Sequence, residues 1–598
     1  MGADMPEDGR PPSADRAAFL GVSASLTGRR WQGPTLEAER RAEALVQATA
    51  LPDPLARVLA RMGVAPEAAE SYLAPTLRDL LPDPARLADC SRAAALLNEA
   101  AAARARIAVF ADYDVDGACS AALLSDWLGA RGLRPTLYVP DRIDEGFGPN
   151  APAMAALAAD HDLIVCVDCG TVSHEAIAAA DSARVIVLDH HMGEEALPPA
   201  DAVVNPNRPD EPGELGHLCA AAVVFLTLVE ANRQARAGGG PAPDLMGATD
   251  LVALATVADV APLTGVNRAF VATGLRVMAR RARPGLRALA DAAGLAEPPR
   301  AHHLGYLLGP RINAGGRIGR ADLGARLLST RDEGEAAHLA AELDRLNRER
   351  REIQESVVEE ALAQAEARGS GGPLAWAAGE GWHPGIVGIV AARLKEATGR
   401  PAVVIGLDPA RGTGTGSARS VAGIDLGAAV HRLAAEGWLV KGGGHRMAAG
   451  LTVEADRLDG AMERLGALLA RQGAGADGPR ALSLEGLLMP GAATVELVEM
   501  LERAGPYGAA APSPRFALAS MQVIHVREVG SGHLKLTVGD GAGARLDCIA
   551  FGAMDGPLGA ALMRHDGARF HLAGALELNV WNGRTRAQLR LEDAAPAG

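Results

Sequence analysis

The chain has 598 residues, of which 48% are hydrophobic and only 3% aromatic, so three to five domains are expected, with cores resting on Leu, Val, Ile and Ala. A net charge of -14 argues against a general polyanion sponge, because nonspecific nucleic-acid binders carry a basic surface; it leaves room for a local basic groove and a carboxylate-rich metal site. Six sparse cysteines imply no disulfide framework, the N-terminus lacks the pattern of a signal peptide, and no run of ~18 apolar residues exists, so a reduced, soluble, cytoplasmic protein with no membrane partner is expected.

The first sixteen residues read as disordered, and residues 35–95 as helices broken at Pro52, Pro66, Pro75 and Pro82. From Arg106 onward, short apolar runs alternate with helical stretches: RIAVF (106–110), TLYVP (136–140), LIVCVD (163–168), VIVLD (185–189) and AVVNP (202–206). Strands apolar on both sides, separated by helices, predict a mostly parallel sheet covered on both faces. Residues 335–368 contain no Gly or Pro and carry apolar residues at Leu339, Leu343, Leu346, Ile353, Val357 and Ala361, which predicts one long amphipathic connector helix of roughly 50 Å. A second α/β pattern follows, with LAWAA, a helix from Gly385 to Thr398, AVVIGL, and Gly-rich loops at 412–417 and 442–444. From about 475, short alternating runs predict a small antiparallel barrel or sandwich. The expected domains are 1–95, an N-terminal extension; 96–330, the first α/β domain; 331–369, the helix; 370–470, the second α/β domain; and 475–598, the barrel.

The strongest chemical signal is Asp112-Tyr113-Asp114-Val115-Asp116-Gly117, three carboxylates on alternate residues directly after a buried strand. Carboxylates that close repel one another, and a divalent cation is the simplest compensation. Asp168 ends the next informative strand, Asp189-His190-His191 ends another, and Asp259 follows the apolar helical run LVALATVADV. Ligands of open α/β sheets bind beyond the carboxyl ends of the strands, so four segments converge on one rim. Each aspartate alone reads as a loop or cap residue; the joint placement reads as a site. Carboxylates with one or two imidazoles suit Mn²⁺ or Mg²⁺ better than structural zinc, and this many ligands can hold two ions, a clamp for phosphoryl chemistry. Cys166 and Cys169 read as small buried core residues, since a lone CxxC is weak.

These blocks, DYDVDG, VDCG, DHH and ATVADVAPL, resemble the DHH phosphoesterase superfamily. GPRINAGGRIG (309–319), GWHPGIVGIVAARLKE (381–396) and KGGGHRMAAG (441–450) are similar to its bacterial single-strand-specific 5′→3′ exonucleases, and GPYGAAAPSPRF (505–516) matches more faintly. The resemblance implies an α/β fold with a parallel-sheet DHH domain and a second α/β (DHHA1) domain joined by the long helix, plus a C-terminal OB-like β-barrel. It implies two divalent cations, Mn²⁺ or Mg²⁺, held by Asp114, Asp116, Asp168, His190, His191 and Asp259, with Asp168 bridging, and catalytic roles for His191, as a ligand or facing the scissile phosphate, and for Asp112. It implies two-metal hydrolysis of single-stranded DNA from the 5′ end, releasing nucleoside 5′-monophosphates in recombination and repair, by a monomer partnered by single-strand-binding protein and a RecQ-type helicase. Two positions depart from the pattern: Phe110, where some superfamily members carry a metal-binding histidine, and Ala510–Ala511, where relatives usually carry Gly-Asn.

Arg311 and Arg317 sit among glycines, where arginine makes bidentate phosphate contacts and glycine lets backbone N–H groups approach. Ser417, Arg419 and Ser420, and Gly443, Gly444 and His445, belong to two further Gly-rich stretches without a GK[ST] phosphate loop. By the resemblance, these groups together with Asn313 grip strand phosphates or the 5′ end. Trp382, His383, Tyr113 and Phe147 are candidates for base stacking, and His533, Lys535, Trp581, Arg584 and Arg586 are candidate contacts on the barrel. Two rivals carry less: a small-substrate phosphoesterase needs no strand-binding module, and a noncatalytic scaffold would have lost its ligands.

Overall fold

The computed structural model describes residues 17–141, 145–369, 371–475, 481–581 and 583–597. The first sixteen residues, expected to be disordered, lie outside the described residues, as does the Trp581 side chain. Apolar runs with no polar face become strands only where both faces are covered, and five of the runs form one parallel sheet. Its strands are β1 (Ile107–Ala111), β2 (Thr136–Tyr138), β3 (Leu163–Val167), β4 (Arg184–Leu188) and β5 (Ala202–Val204), in the order β2-β1-β3-β4-β5. The order reverses between β1 and β3, which opens a crevice at their carboxyl ends. Helix α1 (Val115–Ala130) and the first half of α2 (Ala220–Ala237) are buried nearly all round, as their apolarity requires. Phe110 of β1 is fully buried and packs on Tyr138 at 5.2 Å between ring centroids.

Helix α3 (Thr249–Ala258) ends at Asp259, and α4 (Gly309–Ile318) lies between the loop after β1 and the long helix α5 (Glu333–Ala367). A Cβ on Gly316 would approach Tyr113 within 3.0 Å, and one on Gly319 would approach Leu346 within 2.6 Å, so small residues set how closely these elements pack. Helix α5 runs 35 residues, roughly 52 Å at ~1.5 Å per residue. It is more than a spacer: its first half buries Leu339, Leu343 and Leu346, while Val357, Ala361 and Ala365 enter the core of the second sheet with Trp382 and Ile386 of α6 (Pro384–Thr398).

The second sheet contains β6 (Ala375–Glu380), β7 (Ala402–Asp408), β8 (Thr413–Arg419), β9 (Lys441–His445) and β10 (Ala448–Glu454) in the order β9-β10-β8-β7-β6. Here the structure corrects the sequence reading. Of the glycine stretches expected to be loops at 412–417 and 442–444, residues 413–417 and 442–444 are strand, and GPRINAGGRI is helix α4. Neighbouring side chains explain the glycines: a Cβ on Gly414 or Gly416 would fall 2.6–2.7 Å from Ile405 of β7, and one on Gly442 would fall 2.6 Å from Leu439.

A separate compact unit comprises the described residues within 17–81, 262–272 and 481–597. Its barrel strands are β11 (Gly486–Leu487), β12 (Phe516–Val529), β13 (His533–Gly539), β14 (Arg545–Ala550), β15 (Arg569–Trp581) and β16 (Arg584–Pro596), in the order β11-β12-β13-β14-β16-β15. Pairing of β12 with β15 closes a five-stranded barrel. Two pairings depart from the antiparallel expectation, because β11 runs parallel to β12 and β14 runs parallel to β16. The N-terminal helices share this core: Leu45, Leu55 and Leu59 are buried with Leu518, Leu534 and Leu572. The turn before the barrel is closed by paired bonds between Gly508 and Ala511, with Ala510 in the left-handed region at φ 56.

Candidate metal centre

Every strand of the crevice ends in a polar residue with a fixed local role. After β1, Asp114 caps α1, its Oδ1 accepting from the backbone N–H of Asp116 at 2.8 Å and of Gly117 at 3.1 Å. Gly117 is required there, because a Cβ would lie 2.3 Å from the Asp112 carbonyl oxygen. Asp116 reaches across to the start of α2, where its two oxygens accept from Ala220 N–H at 2.6 Å and Ala221 N–H at 2.8 Å. From α4, the Asn313 side-chain oxygen accepts from Val115 N–H at 3.1 Å and holds the same turn. The carboxylates are therefore aimed by helix starts, whose N–H groups favour negative charge.

Asp168 follows β3 in the left-handed conformation, φ 62, one that Asp adopts more readily than most residues. Its side chain is buried, and Oδ1 accepts no hydrogen bond. Strand β4 ends at Leu188, which frees successive residues from the strict alternation of a strand. His190 Nε2 lies 3.3 Å from Asp168 Oδ1 and 3.8 Å from Asp116 Oδ2, while His190 Nδ1 lies 3.8 Å from Asp259 Oδ2. His191 Nδ1 lies 3.9 Å from Asp168 Oδ1. Three groups present donor atoms within 4.8 Å of one another: Asp112, Asp114 and Asp168; Asp168, His190 and His191; Asp116, His190 and Asp259. Asp168 and His190 each belong to two of these groups.

Electrostatics set this cluster apart. Burial, then the charges of Asp116, Asp114, Asp112 and Asp259, push the Asp168 carboxyl well above the usual range. Burial and the charges of Asp116 and Asp114 push Asp259 up to about 8. Packed oxygen donors with one buried oxygen lacking a partner fit a hard divalent cation, and the imidazoles widen the fit to Mn²⁺.

Residues absent from the sequence-level ligand set orient the histidines. Buried Asp189 accepts from His191 Nδ1 at 2.8 Å and from the N–H groups of His190 and His191 through the same oxygen, while its other oxygen accepts from Thr171. Burial disfavours a charged His191, but the bond to Asp189 and that carboxylate's charge outweigh it and push the ring up to about 9. Asn205 donates to the His191 carbonyl oxygen and Asn207 to that of His190, so the Asn-Pro-Asn segment after β5 fixes the histidine loop. The signal was the asparagine pair at a strand end. Phe147 is exposed and meets His191 edge-on at 5.3 Å.

The other candidates are placed more variously. Arg311 turns inward and is buried, bonded to Asp344 at 3.0 Å and to the Leu307 carbonyl oxygen. Trp382 is buried in the core around α6. His383 caps α6 by accepting from Gly385 N–H, and Arg317 donates to the Gly385 carbonyl oxygen, joining α4 to α6. Ser417 and Arg419 share β8, with Arg419 donating to Ser417 at 2.8 Å; Ser417 is in register with Gly450 and, through it, with Gly443. Gly444 and His445 continue that edge strand, whereas Ser420 is buried and donates to the Ile424 carbonyl oxygen. Cys166 and Cys169 are free and buried; burial pushes both thiols up, and no ligand group among the described residues includes them.

A crevice at the switch point of a parallel sheet, lined by DYDVDG, Asp168 and the Asp-His-His turn, defines a DHH-family domain, and the model of the DHH family, N-terminal domain, matches residues 106–256. The DHHA1 domain matches 371–471 and the RecJ OB domain matches 484–593. The single-stranded-DNA-specific exonuclease RecJ of Dickeya dadantii is 37% identical over 92% of this chain and 97% of its own length. Two crystal structures of RecJ from Thermus thermophilus are similar over 94% of this chain: the Mn²⁺ complex with TM-score 0.78 and 31% identity over 79% of its chain, and the Mg²⁺ complex with TM-score 0.72 and 30% identity over 78% of its chain. The chain belongs to the RecJ family.

Proposed function

We propose that this protein is a metal-dependent exonuclease that degrades single-stranded DNA from its 5′ end and releases nucleoside 5′-monophosphates. The observation that carries the reading is the set of three overlapping ligand groups sharing Asp168 and His190, in a chain whose relatives are named single-stranded-DNA-specific exonucleases. Asp114, Asp116, Asp168, His190 and Asp259 would hold two divalent cations, with Asp168 between them and Asp112 at the margin. Such cations supply charge neutralisation at the scissile phosphate and acidify the attacking water.

The chain's own groups do the rest. Helix starts aim Asp114 and Asp116 into the crevice, so little reorganisation is needed during the reaction. Asp189 occupies His191 Nδ1, which leaves Nε2 to face a phosphate oxygen. Ser417, Arg419, Gly443, Gly444 and His445 lie on one sheet and would contact the strand, and Arg317 holds the two α/β domains together. The recombination and repair role, single-strand-binding protein and a RecQ-type helicase as partners, a monomeric state and a cytoplasmic location belong to this reading through the family resemblance; among the described residues no helix is long and apolar enough to cross a membrane.

Digestion of internally labelled oligonucleotides tests the reading. Mononucleotides should appear from single strands with a free 5′ end in Mn²⁺, and vanish with EDTA or a blocked 5′ end. Inert long strands with rapid hydrolysis of dinucleotides would replace it with a small-substrate phosphoesterase.

A further inference from the structure

Midway along α5, between Leu346, which packs over Gly319, and Val357, in the core of the second sheet, the helix carries a buried cation without a counter-charge. Arg350 is 7% exposed. Its guanidinium donates only to neutral oxygens of its own helix: Nε at 3.3 Å and one terminal nitrogen at 3.0 Å to Asn347 Oδ1, and the other terminal nitrogen at 2.6 Å to Gln354 Oε1. Neither Arg350 nor Arg351 has a carboxylate within ion-pair distance among the described residues. The charges facing Arg350 are Arg351 on the same helix and Arg393 on α6, both of its own sign; burial first, and then these two, lower its hold on its proton. Arg393 is itself paired with Glu396 at 3.0 Å.

The neighbouring amide is incomplete as well. Asn347 is 1% exposed, its oxygen is used by Arg350, and its Nδ2 has no acceptor. Burying a donor without an acceptor is destabilising, and burying an unpaired charge is more so. A water would satisfy the amide but leave Arg350 and Arg351 uncompensated. An anion supplies both the missing acceptor and the missing charge.

We infer that Arg350, with the Asn347 amide beside it and Arg351 on its rim, is a phosphate-binding subsite that holds the backbone of the single strand where the two α/β domains meet, away from the phosphate being cut. The inference rests on the exonuclease reading for its ligand. Its placement follows from α4, which packs on the Asp114 turn through Asn313 and Gly316 and on α5 through Gly315 and Gly319. Helix α4 thus stands between the subsite and the loop that bears the carboxylates, and the subsite acts on strand affinity and leaves the chemical step to the centre.

The test is the affinity of the full chain for a single-stranded oligonucleotide across a salt series in EDTA, where no turnover occurs, for wild type, Arg350→Gln, Arg350→Lys and Arg351→Gln, with thermal melts of each. Arg350→Gln should weaken binding roughly tenfold and lower the slope of log affinity against log salt by about one. Arg351→Gln, an exposed position that does not endanger folding, should lower the slope by a similar amount. Arg350→Lys keeps the charge and should keep the slope, although it disturbs the bonds to Asn347 and Gln354. Unchanged slopes in both Gln variants overturn the proposal. So does an Arg350→Gln protein that melts early beside an Arg351→Gln protein that binds like wild type, because Arg350 is then purely structural. A wild type that binds no single strand at any salt overturns the exonuclease reading itself, and the subsite with it.

Discussion

His191 Nδ1 lies 2.8 Å from Asp189 Oδ1, and the same carboxylate oxygen accepts the backbone N–H groups of His190 and His191. One buried acid therefore sets both the course of the histidine loop and the face that His191 turns to the crevice. Replacing Asp189 with Asn keeps the shape but removes the charge and offers a donor where an acceptor is needed. Partners that orient a site's imidazoles are typically worth about 10–100-fold. Asp189→Asn should lower kcat on single-stranded DNA by that factor, with affinity for the strand in EDTA unchanged. Equal kcat in mutant and wild type would remove His191 orientation from the account.

Asp168→Asn separates charge from backbone geometry. Asn is among the few residues that tolerate the left-handed φ of 62 found here, whereas Ala would add strain. The substitution replaces a buried carboxyl, which can ionise only against burial and four other carboxylates, with a neutral amide. In EDTA the variant should melt above wild type. In Mn²⁺, wild type should gain stability by mass action and the variant should not. A variant that melts lower in EDTA and still responds to Mn²⁺ would refute the proposed place of Asp168 among the metal ligands.

Protons and cations compete for the same oxygens. Asp259 is pushed up to about 8 and Asp168 is raised as well, so each takes a proton more readily in the folded chain than in the unfolded one. For the metal-free protein, that stabilising contribution is complete below the unfolded carboxyl value, near 3.8, and is lost as pH rises to about 8. Metal affinity runs the other way, since binding must displace those protons. Titration with Mn²⁺ at stepped pH should show affinity climbing up to about pH 8 and then levelling. A flat profile between about pH 6 and 8 would mean that the carboxylates are already ionised there.

Gly117→Ala tests the turn that aims the first carboxylates. Its new Cβ would stand 2.3 Å from the Asp112 carbonyl oxygen, contact with backbone that no rotamer can relieve. Overpacking of this kind costs about 1–3 kcal/mol. The variant should lose that much stability by urea denaturation and also lose its Mn²⁺-induced rise in melting temperature. Retention of both would show that the turn can move.

Much of the site was legible because its residues stand at strand ends. DYDVDG, Asp168 and Asp-His-His each follow an apolar run, and the sheet brings those ends together in one crevice. The glycine stretches were misleading for an equally definite reason: a glycine that makes room for Ile405 or Leu439 is spelled like one that makes room for a phosphate. Arg311 and Trp382 show the same limit, since arginine binds Asp344 through the same fork that binds phosphate, and tryptophan can serve as core or as stacking surface.

By itself, the sequence determined where strands and helices fall and which polar residues close them, because periodicity and turn chemistry act between near neighbours along the chain. It also determined that too many carboxylates would meet for the centre to stand without a counter-charge. Only the tertiary structure decided which oxygens face one another, that Asp116 caps a helix more than a hundred residues away, and that Asp189 orients His191. It likewise decided that Arg350 is buried with no carboxylate to meet it among the described residues. Those relations depend on packing between segments distant in sequence, where burial changes the energy of a charge far more than its neighbours along the chain do.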